Sequence, residues 1–136
     1  MDAKNLSHVL KVVGSNSRAQ DFIFKALSEK DKELVYDLST VLTQSSINFA
    51  EFGYNKDKIH VPQINIALFC SLETGLPTMI RTIPGSVRDI KSLYNSIIEV
   101  KKEGGTIILD RGFFSRDAIK FLLEKKMSFI YTKISN

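Results

Sequence analysis

The chain has 136 residues, with 19 Lys and Arg against 15 Asp and Glu, a formal net charge of +4, and 43% hydrophobic and 25% charged residues. That length suits one domain able to bury a core without disulfides or a structural metal, and no apolar run approaches the roughly 18 residues of a membrane helix. The opening MDAKNLSHVL has no basic segment, apolar core and small-residue cleavage site of a secretory signal, and Cys70 is the only cysteine, so a reducing cytoplasm is the expected compartment. A positive balance is compatible with a polyanionic partner, but on charge alone an ordinary solvated surface is the commoner case.

After a polar start, residues 17–27 are predicted helical. Ser17 and Gln20 have capping-box spacing, and Ala19, Phe22, Ile23, Ala26 and Leu27 recur at helical intervals. LVYDLST (34–40) reads as a strand, with Asp37 set inside it. The polar stretch 43–60, with Gly53, Asn55 and the charges Lys56, Asp57 and Lys58, reads as a loop or irregular hairpin. QINIALFC (63–70) and TMIRTIP (78–84), joined through Gly75 and Pro77, read as an antiparallel hairpin. Ser86 and Asp89 have capping-box spacing ahead of a helix over about 87–103, with Ile90, Leu93, Tyr94, Ile97 and Ile98 on its apolar side. TIIL is the next strand, a second helix starts near Ser115, and FIYTKI is the last strand. Helices crossing between the later strands imply parallel pairing there, so the fold class is α/β with a mixed sheet.

Two carboxylates fall where strands are expected. Asp37 interrupts one and Asp110 ends another, followed by Arg111 and Gly112. Were LVYDLST and TIILD parallel neighbours, the two acids would face each other, and at about 5 Å and an effective dielectric near 20 they would repel by roughly 3 kcal/mol. A hard divalent cation removes that penalty, and such ions suit phosphodiester chemistry. Asp110 could instead pair with Arg111 or cap the following turn. His8 and His60 have no ligand-spaced partner, and Cys70 reads as a small buried hydrophobe. One of Phe113 and Phe114 is expected in the core, the other being a candidate for base stacking.

In order along the chain, YDLST, EFGYNKD, QINIALF, ETGLPTMIRTIPGSVRDIKSL and IILDRGFFS together resemble the catalytic domain of insertion-sequence DDE transposases of bacteria and archaea, the type with DRGF in its second motif. The resemblance covers roughly residues 17–136. It implies an RNase H-like five-stranded mixed sheet with flanking helices, Asp37 and Asp110 as catalytic metal ligands, and two magnesium or manganese ions in the complete site. The family's third acid is a glutamate on a helix after the fifth strand. The sequence ends at Asn136, just past FIYTKI, and Glu124 lies on the wrong element, so the expectation is a single domain over 1–136, truncated at its C-terminus, without the catalytic helix. Residues 1–16 are expected to be a poorly ordered or accessory segment. Where the family has PGN followed by Asp, this chain has Pro84, Gly85, Ser86 and Asp89.

The function so implied is metal-dependent DNA strand cleavage and strand transfer during transposition, incomplete and inactive in a fragment. Double-stranded DNA, as element ends and target, is the expected partner, with Lys56, Lys58, Arg88 and Arg111 as candidate contacts. A homodimer, a prokaryotic cytoplasmic location and no membrane association complete the expectation. Two alternatives stand beside it: a non-catalytic remnant serving as a DNA-binding or dimerisation module, and a small metal-dependent nuclease drawing a further acid from Glu51, Glu73 or Asp89.

Overall fold

The computed structural model describes residues 2–28, 32–48, 50–54, 58–87 and 89–132. Two helices, α1 (Ala3–Ser15) and α2 (Ser17–Ser28), precede strand β1 (Glu33–Leu42). There follow β2 (Gln63–Ser71), β3 (Pro77–Pro84), α3 (Asp89–Glu99), β4 (Thr106–Asp110), a single 3-10 turn (Arg111–Phe113), α4 (Arg116–Glu124) and β5 (Ser128–Thr132).

The five strands form one sheet in the order β3-β2-β1-β4-β5. β2 lies antiparallel between β1 and β3, while β1, β4 and β5 run parallel. The mixed sheet expected from the alternation of hairpin and crossover helices is therefore present. Strand alternation then divides the residues between two faces. Leu34 and Tyr36 of β1, Ala67 and Phe69 of β2, and Ile107 and Leu109 of β4 are buried against Leu93 and Ile97 of α3 and Leu122 of α4. The other face carries Val35, Leu68, Cys70 and Ile108, which are only half-buried. Burial pushes the Cys70 thiol above its ordinary range, which fits a packing role rather than a reactive one.

The face that α3 turns to the core includes Ser92 and Ser96, both fully buried. Ser92 Oγ lies 2.7 Å from the Tyr36 hydroxyl, so the one polar atom of that large core side chain is satisfied. The Tyr36 ring packs tilted on Phe69 and edge-on against Phe113. Phe113 is thus core, whereas Phe114 is 59% exposed and meets Tyr131 edge-on.

Three elements depart from the expectation. Helix α1 occupies residues that sequence patterning left as an accessory segment; Asp2 caps it by accepting the Lys4 N–H. The start of α2 is capped by Asn16, which accepts from the Ala19 N–H, so Ser17 already lies in the helix. Phe22 and Ile23, expected on its apolar side, are 74% and 53% exposed. The half-buried residues of α2 are Gln20, Phe24 and Leu27, and the helix lies against β3. Ser86, expected to cap α3, donates its hydroxyl to the carboxylate of Glu51. At the second capping site the expectation holds: Ser115 accepts from the Ala118 N–H at 3.0 Å and opens α4.

Candidate functional site

The central pair of parallel strands sets the site. Glu33 stands opposite Thr106, Leu34 opposite Ile107, Val35 opposite Ile108 and Tyr36 opposite Leu109. One residue further on, that register places Asp37 beside Asp110, on strands about 4.8 Å apart. Because Tyr36 and Leu109 point into the helix-covered core, alternation turns both aspartates to the open face. Asp37 is exposed there and Asp110 half-buried.

Each carboxylate has one oxygen occupied. Asp37 Oδ2 accepts from Ser39 Oγ at 3.2 Å, and Asp110 Oδ1 accepts from the Arg111 N–H at 2.7 Å, capping the 3-10 turn. The capping role open to Asp110 is therefore real, and it leaves Oδ2 available. Asp37 Oδ1 and Asp110 Oδ2 have no hydrogen bond among the described residues. Neither acid forms an ion pair with any of them; the Arg111 guanidinium does not close on Asp110. Two carboxylates on neighbouring strands, each with an oxygen free of hydrogen bonds and ion pairs among the described residues, are a donor set suited to a hard divalent cation.

A third carboxylate does not join them: among the described residues no three His, Cys, Asp or Glu side chains are grouped to hold a metal. Glu51 is tied to Gln63 by paired backbone hydrogen bonds and its carboxylate accepts from Ser86. Glu73 lies in the β2–β3 turn, beyond Ser71, which pairs with Leu34 at the opposite end of β1. The side chain of Asp89 lies outside the described residues. Of the candidate DNA contacts, Arg111 and Lys58 are exposed, Arg111 directly after Asp110. Lys56 and Arg88 lie outside the described residues.

On the helix side of the sheet a cavity of about 730 Å³ opens between Thr40, Asn65, Gly85, Tyr94 and Gly112, two residues after Asp110. Its wall is held by a buried polar network. Gln63, fully buried, donates to the carbonyls of Tyr54 and Gly85 at 3.0 and 3.1 Å. Asn65 donates to Val87 O at 3.2 Å and accepts from Thr40 Oγ1 at 3.0 Å. The segment holding Gly85 lies so close that a Cβ there would strike the carbonyls of Gln63 and Glu51. Sequence reasoning missed Gln63 and Asn65; the available signal was two amides two residues apart in an otherwise apolar strand, QINIALF.

A mixed β3-β2-β1-β4-β5 sheet with an acid inside its central strand and another at the end of the neighbouring parallel strand defines an RNase H-like α/β fold. The model of the family described as "Transposase DDE domain" matches residues 28–132. The chain belongs to that family. Among solved structures, a piggyBac transposase synaptic complex with hairpin DNA superposes with a TM-score of 0.59 at 18% identity, over 100% of this chain and 31% of that one. The Mos1 transposase paired-end complex gives 0.49 at 7% identity, over 82% and 39%. The Drosophila P element transposase strand transfer complex gives 0.41 at 13%, over 74% and 26%. The piggyBac likeness establishes the fold, and the chain spans about a third of that transposase's length. No curated protein sequence matches the chain. No helix among the described residues is long and apolar enough to cross a membrane.

Proposed function

We propose that the chain is a catalytic core of DNA transposition, acting with divalent metal on phosphodiester bonds at element ends and in target DNA within a prokaryotic cytoplasm. The observation that supports this reading is the β1–β4 register, which pairs Tyr36 with Leu109, the residues directly before Asp37 and Asp110. In this account Asp37 and Asp110 are the metal ligands, through Oδ1 and Oδ2 respectively. Magnesium or manganese held there would supply activation of the attacking hydroxyl and stabilisation of the leaving oxygen in an in-line displacement.

The chain's own residues do the positioning. Ser39 and the Arg111 N–H fix the two carboxylates. The Arg111 side chain, exposed next to Asp110, and Lys58 are proposed to meet phosphates of the DNA backbone, as are Lys56 and Arg88, with two copies of the chain acting together. A pair of ions usually requires a further carboxylate, and none joins the pair among the described residues. That observation favours, as a second reading, a non-catalytic remnant that serves as a DNA-binding or dimerisation module.

Thermal melting with and without manganese tests the metal reading. A ligand that binds only the native state at a hundredfold excess over its Kd stabilises by about 2.7 kcal/mol. Wild type should gain on that order and Asp37→Asn should gain nothing; equal gains in both would contradict the assignment.

A further inference from the structure

The ladder between the two central strands stops one residue short of the acids. Its last pair is Tyr36 opposite Leu109. Asp37 then pairs with Leu68 of β2, and Asp110 with Thr132 of β5, so each acid is held from its outer side and strand pairing does not by itself set the gap between them. Magnesium is exacting about ligand geometry, and a site of this kind has to be held to within roughly 0.5 Å of its working arrangement. The core beneath the acids supplies the missing constraint. Tyr36 directly precedes Asp37, and Phe113 lies three residues after Asp110. Their rings meet edge-on, with centroids 5.2 Å apart and planes at 76°, and both residues are buried. An edge-to-face pair is directional as well as apolar, so this contact orients the turn after β4 against β1. The Tyr36 ring also rests on Phe69 of β2 at 4.8 Å. Its hydroxyl, 2.7 Å from Ser92 Oγ, ties it to α3, which itself contacts the turn. Around Phe113 the turn is closed at both ends: Asp110 Oδ1 accepts the Arg111 N–H, and the Phe114 N–H donates to the Arg111 carbonyl at 2.9 Å.

We propose that Tyr36 and Phe113 are positioning residues for the acid pair, a role that rests on the metal reading of Asp37 and Asp110. Their edge-to-face contact braces β1 against the turn from the core side and so sets the separation of the two carboxylates at the value a divalent ion requires. Both rings lie in the core, so they touch neither ion nor DNA and act through the backbone beside them. A displaced Phe113 moves Asp110 through a single short turn, and a displaced Tyr36 moves Asp37 through one peptide unit.

Two readouts on the full chain separate this role from general stability, one with metal and one without. The first is manganese affinity; the second is NMR hydrogen exchange of the Arg111 N–H, which reports opening of the turn that carries Asp110. Phe113→Leu and Tyr36→Leu keep an apolar core side chain and remove the edge-to-face pair. Each should weaken manganese binding at least tenfold and speed Arg111 exchange at least tenfold. Tyr36→Phe keeps the ring and should stay within about threefold of wild type in both. Met127→Ala opens the core at the far end of β5, where Ser128 pairs with Thr106; it should lower the urea midpoint yet leave both readouts within about threefold of wild type. Leucine variants that bind manganese and exchange Arg111 as wild type does would overturn the proposal, as would losses no larger than those of Met127→Ala. A wild type that binds no manganese contradicts the metal reading instead; faster Arg111 exchange in the leucine variants would then still support the brace, and unchanged exchange would overturn it.

Discussion

Asp110 closes the turn after β4 with one carboxylate oxygen, Oδ1, and leaves Oδ2 for the proposed metal. The sequence offered capping and metal binding as rivals, and the geometry permits both. Elsewhere single residues are less well served. The hydroxyls of Tyr94 and Tyr131 are buried without a hydrogen-bond partner. Burial is the main cause that raises both phenol pKa values, with Asp117 and Glu124 adding to the effect at Tyr94 and Tyr94 itself at Tyr131. A phenol whose folded pKa exceeds its unfolded value, about 10, contributes stability that is present below that value and lost as pH rises through the folded one. Tyr131→Phe should therefore flatten the alkaline fall in stability, and at neutral pH be neutral or stabilising by up to about 1 kcal/mol, because an orphaned hydroxyl is removed. Urea denaturation at pH 7 and pH 10.5 checks both effects; a clear loss at pH 7 would reveal a partner for that hydroxyl.

At the scale of elements, the turn into β4 and the buried amides of β2 set the site's frame. Gly105 has φ +78° and its Cα faces the Lys32 carbonyl, where a Cβ would collide. The Thr106 N–H donates to that same carbonyl at 2.7 Å, which starts the β1–β4 pairing. Gly105→Ala should cost about 2 kcal/mol or more through strain and displacement, measured by chemical denaturation; a loss below about 0.5 kcal/mol would mean the turn relaxes freely. Gln63→Leu removes the side-chain donor to the Tyr54 carbonyl and leaves the Gly85 carbonyl only its longer bond from Asn65 at 3.4 Å, with an expected loss of about 1–3 kcal/mol by chemical denaturation. Legibility also differed by element. Strands β1 to β5 and helices α3 and α4 were readable because apolar spacing and turn residues agree with the final packing. α1 was not, because its apolar residues sit in a sequence with little strand or core context, and the face they form finds no cover among the described residues. Phe22 and Ile23 misled for the same reason: periodicity identifies a helix but not which neighbour it will meet.

For the whole molecule, the acid pair was legible only as a condition. Asp37 and Asp110 are 73 positions apart, and no local pattern gives strand order; the crossover rule made a parallel β1–β4 pairing reasonable and the sheet supplies it. The amide network was illegible because its partners are backbone carbonyls from 9 to 22 residues away. Charge acts at this scale too. With a net +4, duplex DNA should bind with a strong salt dependence, and removing one phosphate contact by Arg111→Ala should lessen the slope of log K against log salt by about 0.9. An unchanged slope would take Arg111 out of the interface.

The central claim is that Asp37 and Asp110 jointly hold a divalent ion. Manganese binding followed by the electron paramagnetic resonance signal of the free ion reads this directly. Wild type should bind manganese, and Asp37→Asn and Asp110→Asn should each weaken binding at least tenfold while the fold is retained. Wild-type binding that survives either substitution unchanged would contradict the account.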